Sequence, residues 1–93
     1  MERYLIVLEK TETGYSAYSP DVPGCIATGE TAENTVDTMK EALHEHLALL
    51  LEDHDPIPRG KGAESYLEAV EMSQGNDFLI AHIEIEPKTI QFN

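Results

Sequence analysis

Cysteine occurs once in this chain, tryptophan is absent, and basic residues are scarce: six Lys and Arg stand against eighteen Asp and Glu. Each scarcity excludes something. A single cysteine, Cys25, closes no intramolecular disulfide and builds no cysteine-based zinc site. It fits a reducing compartment. A net charge of −12 repels phosphate backbones, and the closest basic pair, Arg59 and Lys61, only flanks a glycine in a loop. Direct nucleic-acid binding is therefore not expected. The same field attracts a basic partner and speeds encounter with it, although acidity also simply keeps a small protein soluble. Long hydrophobic runs are missing too. The opening stretch MERYLIVLEK is charged at both ends and is too short for a signal-peptide core or a bilayer span. A cytoplasmic protein is the expectation.

What is present fits one small domain over residues 1–93, with a core at about 3–86 and a short tail at 87–93. Residues 3–9 form an expected strand, with Tyr4, Ile6 and Leu8 on one face and Leu5 and Val7 on the other. Two apolar faces predict a central strand covered on both sides. Residues 10–14 connect it to a second strand at 15–19, and the pair reads as a hairpin. PDVPG, at 20–24, is turn chemistry, and a third strand follows at 25–29.

From Thr31 to about Asp53, Ala32, Val36, Met39, Leu43, Leu47 and Leu50 make one helical stripe. Thr31 suits the N-cap and Glu30 and Glu33 suit the positive end of the helix dipole. DPIPRGKG, at 55–62, stops the helix with prolines and glycines. Residues 63–73 read as a short helix or an irregular crossover. Residues 78–86 read as a strand with Leu79, Ala81, Ile83 and Ile85 on one face and His82, Glu84 and Glu86 on the other. The tail is expected to fray or to pair with a neighbour.

The resulting class is α+β, in the order β-β-β-α-(short α)-β. The long helix is expected to return the chain so that the last strand lies beside the first by a right-handed crossover, giving a mixed four-stranded sheet with one long helix on one face. The second face of the first strand then needs a cover, and a second subunit is expected there.

Candidate chemistry is thin. Cys25 lies in no protease or redox spacing, and a buried free cysteine acting as a small hydrophobe is the commoner state. His44 and His46 are two residues apart, so they point to different sides of a helix, and His46 and His54 are two turns apart. No metal ligand set and no cofactor site is expected. Glu9, Glu84 and Glu86 lie on strands that could bring carboxylates together for metal-assisted phosphodiester cleavage. They also alternate with apolar residues as on any half-exposed strand. A metal-dependent hydrolase of ribonuclease H type therefore stays as an alternative, as does a plain oligomeric regulatory domain.

The stretch GYSAYSPDVPGCIATGETAENTVDTMKEALHEHL, at 14–47, resembles the signature of HicB-like antitoxins. Pro20, Val22, Pro23, Gly24, Cys25, Gly29, Thr31, Glu41 and Ala42 match the motif as they stand, and PIPRG and the final strand also fit. The resemblance implies a partial ribonuclease H-like fold without nuclease activity. It also implies a small basic, mRNA-cleaving HicA-type toxin as partner, and a dimer or tetramer. Beside it, the charge of −12 reads as a mask for a basic RNA-binding surface. Glu12, Asp21, Glu41, Glu45 and Glu52 are the acidic residues expected to meet that partner. Pro20, Pro23, Gly24, Cys25, Gly29 and Thr31 are expected to be structural. Many members of the family continue into a DNA-binding domain, and here the chain ends seven residues after the last expected strand. Operator binding and self-repression are therefore left open at this point.

Overall fold

The computed structural model describes residues 1–90. The elements run β1 (Glu2–Lys10), β2 (Tyr15–Tyr18), β3 (Ile26–Gly29), α1 (Ala32–Glu52), α2 (Ala63–Ser73), β4 (Leu79–Ile85) and a 3-10 turn (Pro87–Thr89). The strands form one sheet in the order β3-β2-β1-β4. The α+β class and the place of the last strand beside the first stand as read from the sequence.

The pairing direction does not. β4 runs antiparallel to β1, with Leu5 opposite His82 and Val7 opposite Ile80, so the sheet is antiparallel throughout rather than mixed. The reason is the second helix. One helical return would bring the chain back to lay β4 parallel to β1. Residues 63–73 form a full helix of about 16 Å, long enough to carry the chain across the sheet once more and reverse the last strand.

β1 is buried on both faces from Tyr4 to Leu8, as a central strand should be. Tyr4, Ile6 and Leu8 pack with Ala17, Ala27, Ile83 and Ile85 against Met39, Leu43 and Leu47 of α1. This is the main core, and the helical stripe read from the sequence supplies its upper layer. Val36 and Leu50 are half-buried at its margin.

The opposite face is covered at its centre by the chain itself. Leu5 and Val7 meet Ala69 of α2, with Tyr18 and Phe78 at the edge. The expected second subunit on a bare face is therefore corrected: α2 occupies the centre of that face.

The turn between β2 and β3 works as its residues suggest. Gly24 takes φ +88°, a left-handed conformation that favours glycine. Cys25 lies just before β3, and Gly29 leaves it where a Cβ would stand 2.6 Å from Thr35 Oγ1. Thr31 caps α1, accepting the Asn34 N–H at 3.0 Å.

The far end of α1 differs in detail from the expectation. The helix stops before the prolines, at His54, whose φ is +59°. Its N–H donates to the Leu51 carbonyl and the Asp55 N–H to the Leu50 carbonyl, a Schellman closure. The tail is also ordered to residue 90. Instead of fraying, it makes the 3-10 turn and buries Ile90 against the main core. The rest of the expected tail, 91–93, lies outside the described residues.

Candidate interaction surface

Asp21 is the first correction at the site. Expected to meet a partner, it is buried, and its carboxylate is already in use within the fold. Oδ2 accepts the Leu5 N–H at 2.9 Å; Oδ1 accepts the Lys61 N–H at 3.0 Å and the Ser65 hydroxyl. Asp21 thus ties the β2–β3 turn to β1 and to the start of α2. Nearby, the Tyr4 hydroxyl donates to the Pro58 carbonyl at 2.7 Å, and Gly60 lies so close to the Arg3 carbonyl that a Cβ would not fit. PIPRG is a strap locked onto one end of β1. Burial, then the nearby Glu2 and Asp21 charges, pushes the Tyr4 hydroxyl pKa up to about 12.

The other four acidic candidates are exposed. Glu12 sits in the β1–β2 loop. Glu41, Glu45 and Glu52 fall within about 40° of one another around α1, on the side away from Met39, Leu43 and Leu47. This ridge is charged, and a single large apolar side chain, the exposed Leu49, lies beside it.

The catalytic alternatives lose their geometry. Cys25 is buried, and burial pushes its thiol pKa up, away from the nucleophilic thiolate. Glu84 stands opposite Arg3 in the β1–β4 ladder, which puts it roughly 20 Å along β1 from Glu9. Antiparallel pairing separates the carboxylates that a parallel pair would have brought together. Among the described residues, no three His, Cys, Asp or Glu side chains gather where they could hold a metal ion. No helix of the described residues is long and apolar enough to cross a membrane.

The feature that sequence reading missed is the orientation of α2, whose residues 63–73 read as a short helix or an irregular crossover. Its sheet-facing side is made of Ser65, Ala69 and Ser73, four residues apart on one face. Its large apolar residues point outward: Tyr66, Leu67, Val70 and Met72 are all exposed, Leu67 by 61%. The helix is amphipathic in the reverse sense. The signal was legible as small residues at i, i+4 and i+8, but apolar residues are ordinarily assigned to the core. A cleft of about 570 Å³ runs between α2 and the sheet, bounded in part by Arg3, Leu5, Tyr66, Ile80 and His82. On the other flank Met72 shares a shallow depression with Ile26, which is 70% exposed. The Arg59 and Lys61 charges are engaged locally, with Glu2 and Glu68.

A family model described as the HicB-like antitoxin of bacterial toxin–antitoxin systems matches residues 4–93. The chain belongs to the HicB-like antitoxin family. Among this HicB-like chain's relatives is an uncharacterised protein from the rep–hol intergenic region of Haemophilus phage HP1, 32% identical over 83 residues. That match covers 89% of the chain but spans only 60% of the phage protein's length. A UPF0150 protein of Thermoplasma acidophilum is 29% identical over 72% of the chain and 99% of its own length. Among solved structures, antitoxin HicB3 superposes with a TM-score of 0.75 at 26% identity, covering 98% of this chain and 71% of that one. A chain of the HicA3 and HicB3 toxin–antitoxin complex superposes at 0.73 and 27% identity, covering 91% of this chain and 99% of that one. The HicB-like fold is thus the antiparallel sheet with two helices described above.

Proposed function

We propose that this HicB-like chain is a non-catalytic antitoxin that sequesters a small, basic, mRNA-cleaving HicA-type toxin in the cytoplasm. One observation carries the reading: the chain shares its fold over 91% of its length with a chain of a toxin–antitoxin complex. The net charge of −12 supports it, because an acidic protein competes with RNA phosphates for the same Lys and Arg side chains. The separation of Glu9 from Glu84 and the burial of Cys25, which pushes its thiol pKa up, support a binding role over a hydrolytic one.

A homo-oligomer, first expected from a bare sheet face, now rests on the open edge of β4. The Leu5 N–H points to Asp21, on the side of β1 away from β4. In an antiparallel ladder this makes Leu5–His82 a non-hydrogen-bonded pair, as are Val7–Ile80 and Arg3–Glu84, and directs the backbone groups of Ile80, His82 and Glu84 to the free edge. A second copy has hydrogen-bonding groups to add to there.

The test is whether a small basic protein is encoded beside this chain's gene and co-purifies with the chain. A stable complex at low salt that weakens as salt rises is expected. No complex at low salt would sink the proposal. Magnesium- or manganese-dependent cleavage of RNA by this chain, lost in Glu9→Gln, would replace it with the hydrolase.

A further inference from the structure

We infer that the outward face of α2, together with Ile80 of β4, is the surface that holds the basic partner, and that the acidic ridge of α1 is not. The inference rests on the toxin-binding reading above and names the surface that reading leaves open.

Tyr66, Leu67 and Val70 lie on adjoining positions of α2, and Tyr66 and Ile80 line the same cleft. All four side chains are exposed. A chain with a quarter of its residues charged exposes such a cluster at a cost, because apolar surface gathered in one place marks a contact site. Interface energy comes from aromatic and aliphatic anchors that are fully desolvated, while charges at the rim add mostly specificity and association rate. Glu41, Glu45 and Glu52 have the charge but only Leu49 beside them as an apolar anchor, where the α2 face and Ile80 gather four. The α2 face has the anchors and also has a rim: Glu64 and Glu71 flank it without an ion pair among the described residues, while Lys61 is taken by Glu68.

Charge decides the occupant. A second copy seated here would set Glu64 and Glu71 of its own α2 against the same two residues, a like-charge contact that opposes self-association through this face, whereas the β4 edge offers a copy backbone groups instead. A basic protein with an apolar centre meets no such opposition. The surface therefore fits a partner that is basic around its edge and apolar in the middle, with Tyr66, Leu67 and Val70 seated in it.

The experiment compares two variants for binding to a purified HicA-type toxin, the one that co-purifies with the wild-type chain, by titration calorimetry and stopped-flow association at physiological salt. Leu67→Ala/Val70→Ala keeps good helix formers at exposed positions, so the fold is expected to survive, checked by circular dichroism and the urea midpoint. It should weaken binding at least about thirtyfold, the scale of lost anchor residues. Glu41→Gln/Glu45→Gln/Glu52→Gln should weaken it no more than about threefold, mainly through a slower association rate. The reverse order of effects overturns the inference and leaves the antitoxin reading standing. So does a Leu67→Ala/Val70→Ala variant that binds like the wild type but sediments as a smaller species, which would give the face to a second copy. Failure of the wild-type chain to bind at low salt overturns the antitoxin reading, and the inference falls with it.

Discussion

Asp21 Oδ2 accepts the backbone N–H of Leu5 at 2.9 Å, so a residue from the β2–β3 turn completes the hydrogen bonding of the central strand beyond the last β2 pair. The same carboxylate serves Lys61 and Ser65, so one side chain joins turn, sheet and α2. Asp21→Ala leaves the N–H groups of Leu5 and Lys61 without their acceptor, in or beside a buried site. A loss of about 3 kcal/mol is expected, since hydrogen bonds to a charged group are each worth about 1.5–3 kcal/mol and do not add fully. Urea denaturation checks it; a midpoint within error of the wild type would refute the role assigned to Asp21.

Alkaline stability should depend on Tyr4. Its hydroxyl pKa is about 12 in the folded chain against 10.0 for an unperturbed tyrosine. The folded state therefore holds this proton more tightly than the unfolded state. The resulting stabilisation is complete below pH 10 and is lost as pH rises through 12. Tyr4→Phe removes that part of the pH dependence. It also costs about 1 kcal/mol at neutral pH through the lost bond to Pro58. Unfolding curves between pH 8 and 12 would show an equal slope in both proteins if Tyr4 had no part in it.

Gly29 and Gly24 should respond differently to alanine. A Cβ on Gly29 meets Thr35 Oγ1 at 2.6 Å and Thr35 N at 2.9 Å, at the first turn of α1. Overpacking of this kind costs about 1–3 kcal/mol. Gly24 has open space around it, and only its φ of +88° opposes a side chain, at about 1 kcal/mol. Thermal melts of the two single variants should rank Gly29→Ala below Gly24→Ala.

His54→Gly should stabilise the chain. The imidazole-bearing residue holds φ +59° to close α1, a conformation that costs a residue with a Cβ about 1–2 kcal/mol. Relief of about 1 kcal/mol raises the midpoint of a domain this size by about 4–8 °C. A lower melting temperature would mean that the His54 side chain itself contributes to the helix end.

Strand positions, the α1 stripe and the Thr31 cap were legible because each follows from a local period or a local hydrogen bond. Tyr4, Ile6 and Leu8 alternate with Leu5 and Val7, and no tertiary information is needed to separate them. The direction of β4 was not legible. It depends on whether residues 63–73 cross the sheet as a helix, and their apolar residues do not form an inward stripe. Asp21 was misread for a related reason: a carboxylate in a turn is ordinarily solvated, and its three donors come from segments 16, 40 and 44 residues away in the chain. The acidic residues of α1 were placed correctly on the surface, but sequence alone gave them no rival, since the outward face of α2 exists only once Ser65, Ala69 and Ser73 have been turned inward.

That inversion sets how long the free chain keeps its second helix. α2 is held by one alanine, two serines and the Asp21 tie, and it lies beside a Tyr18 hydroxyl that is buried with no hydrogen-bond partner among the described residues. So little buried apolar contact makes it the element that opens first, well before β1 and α1. Its amide protons should exchange with solvent ahead of the rest of the fold, and a protease should find its first cut there. Whatever seats on the outer face of α2 also closes that opening, so occupancy of the surface becomes a clock for the survival of the whole chain.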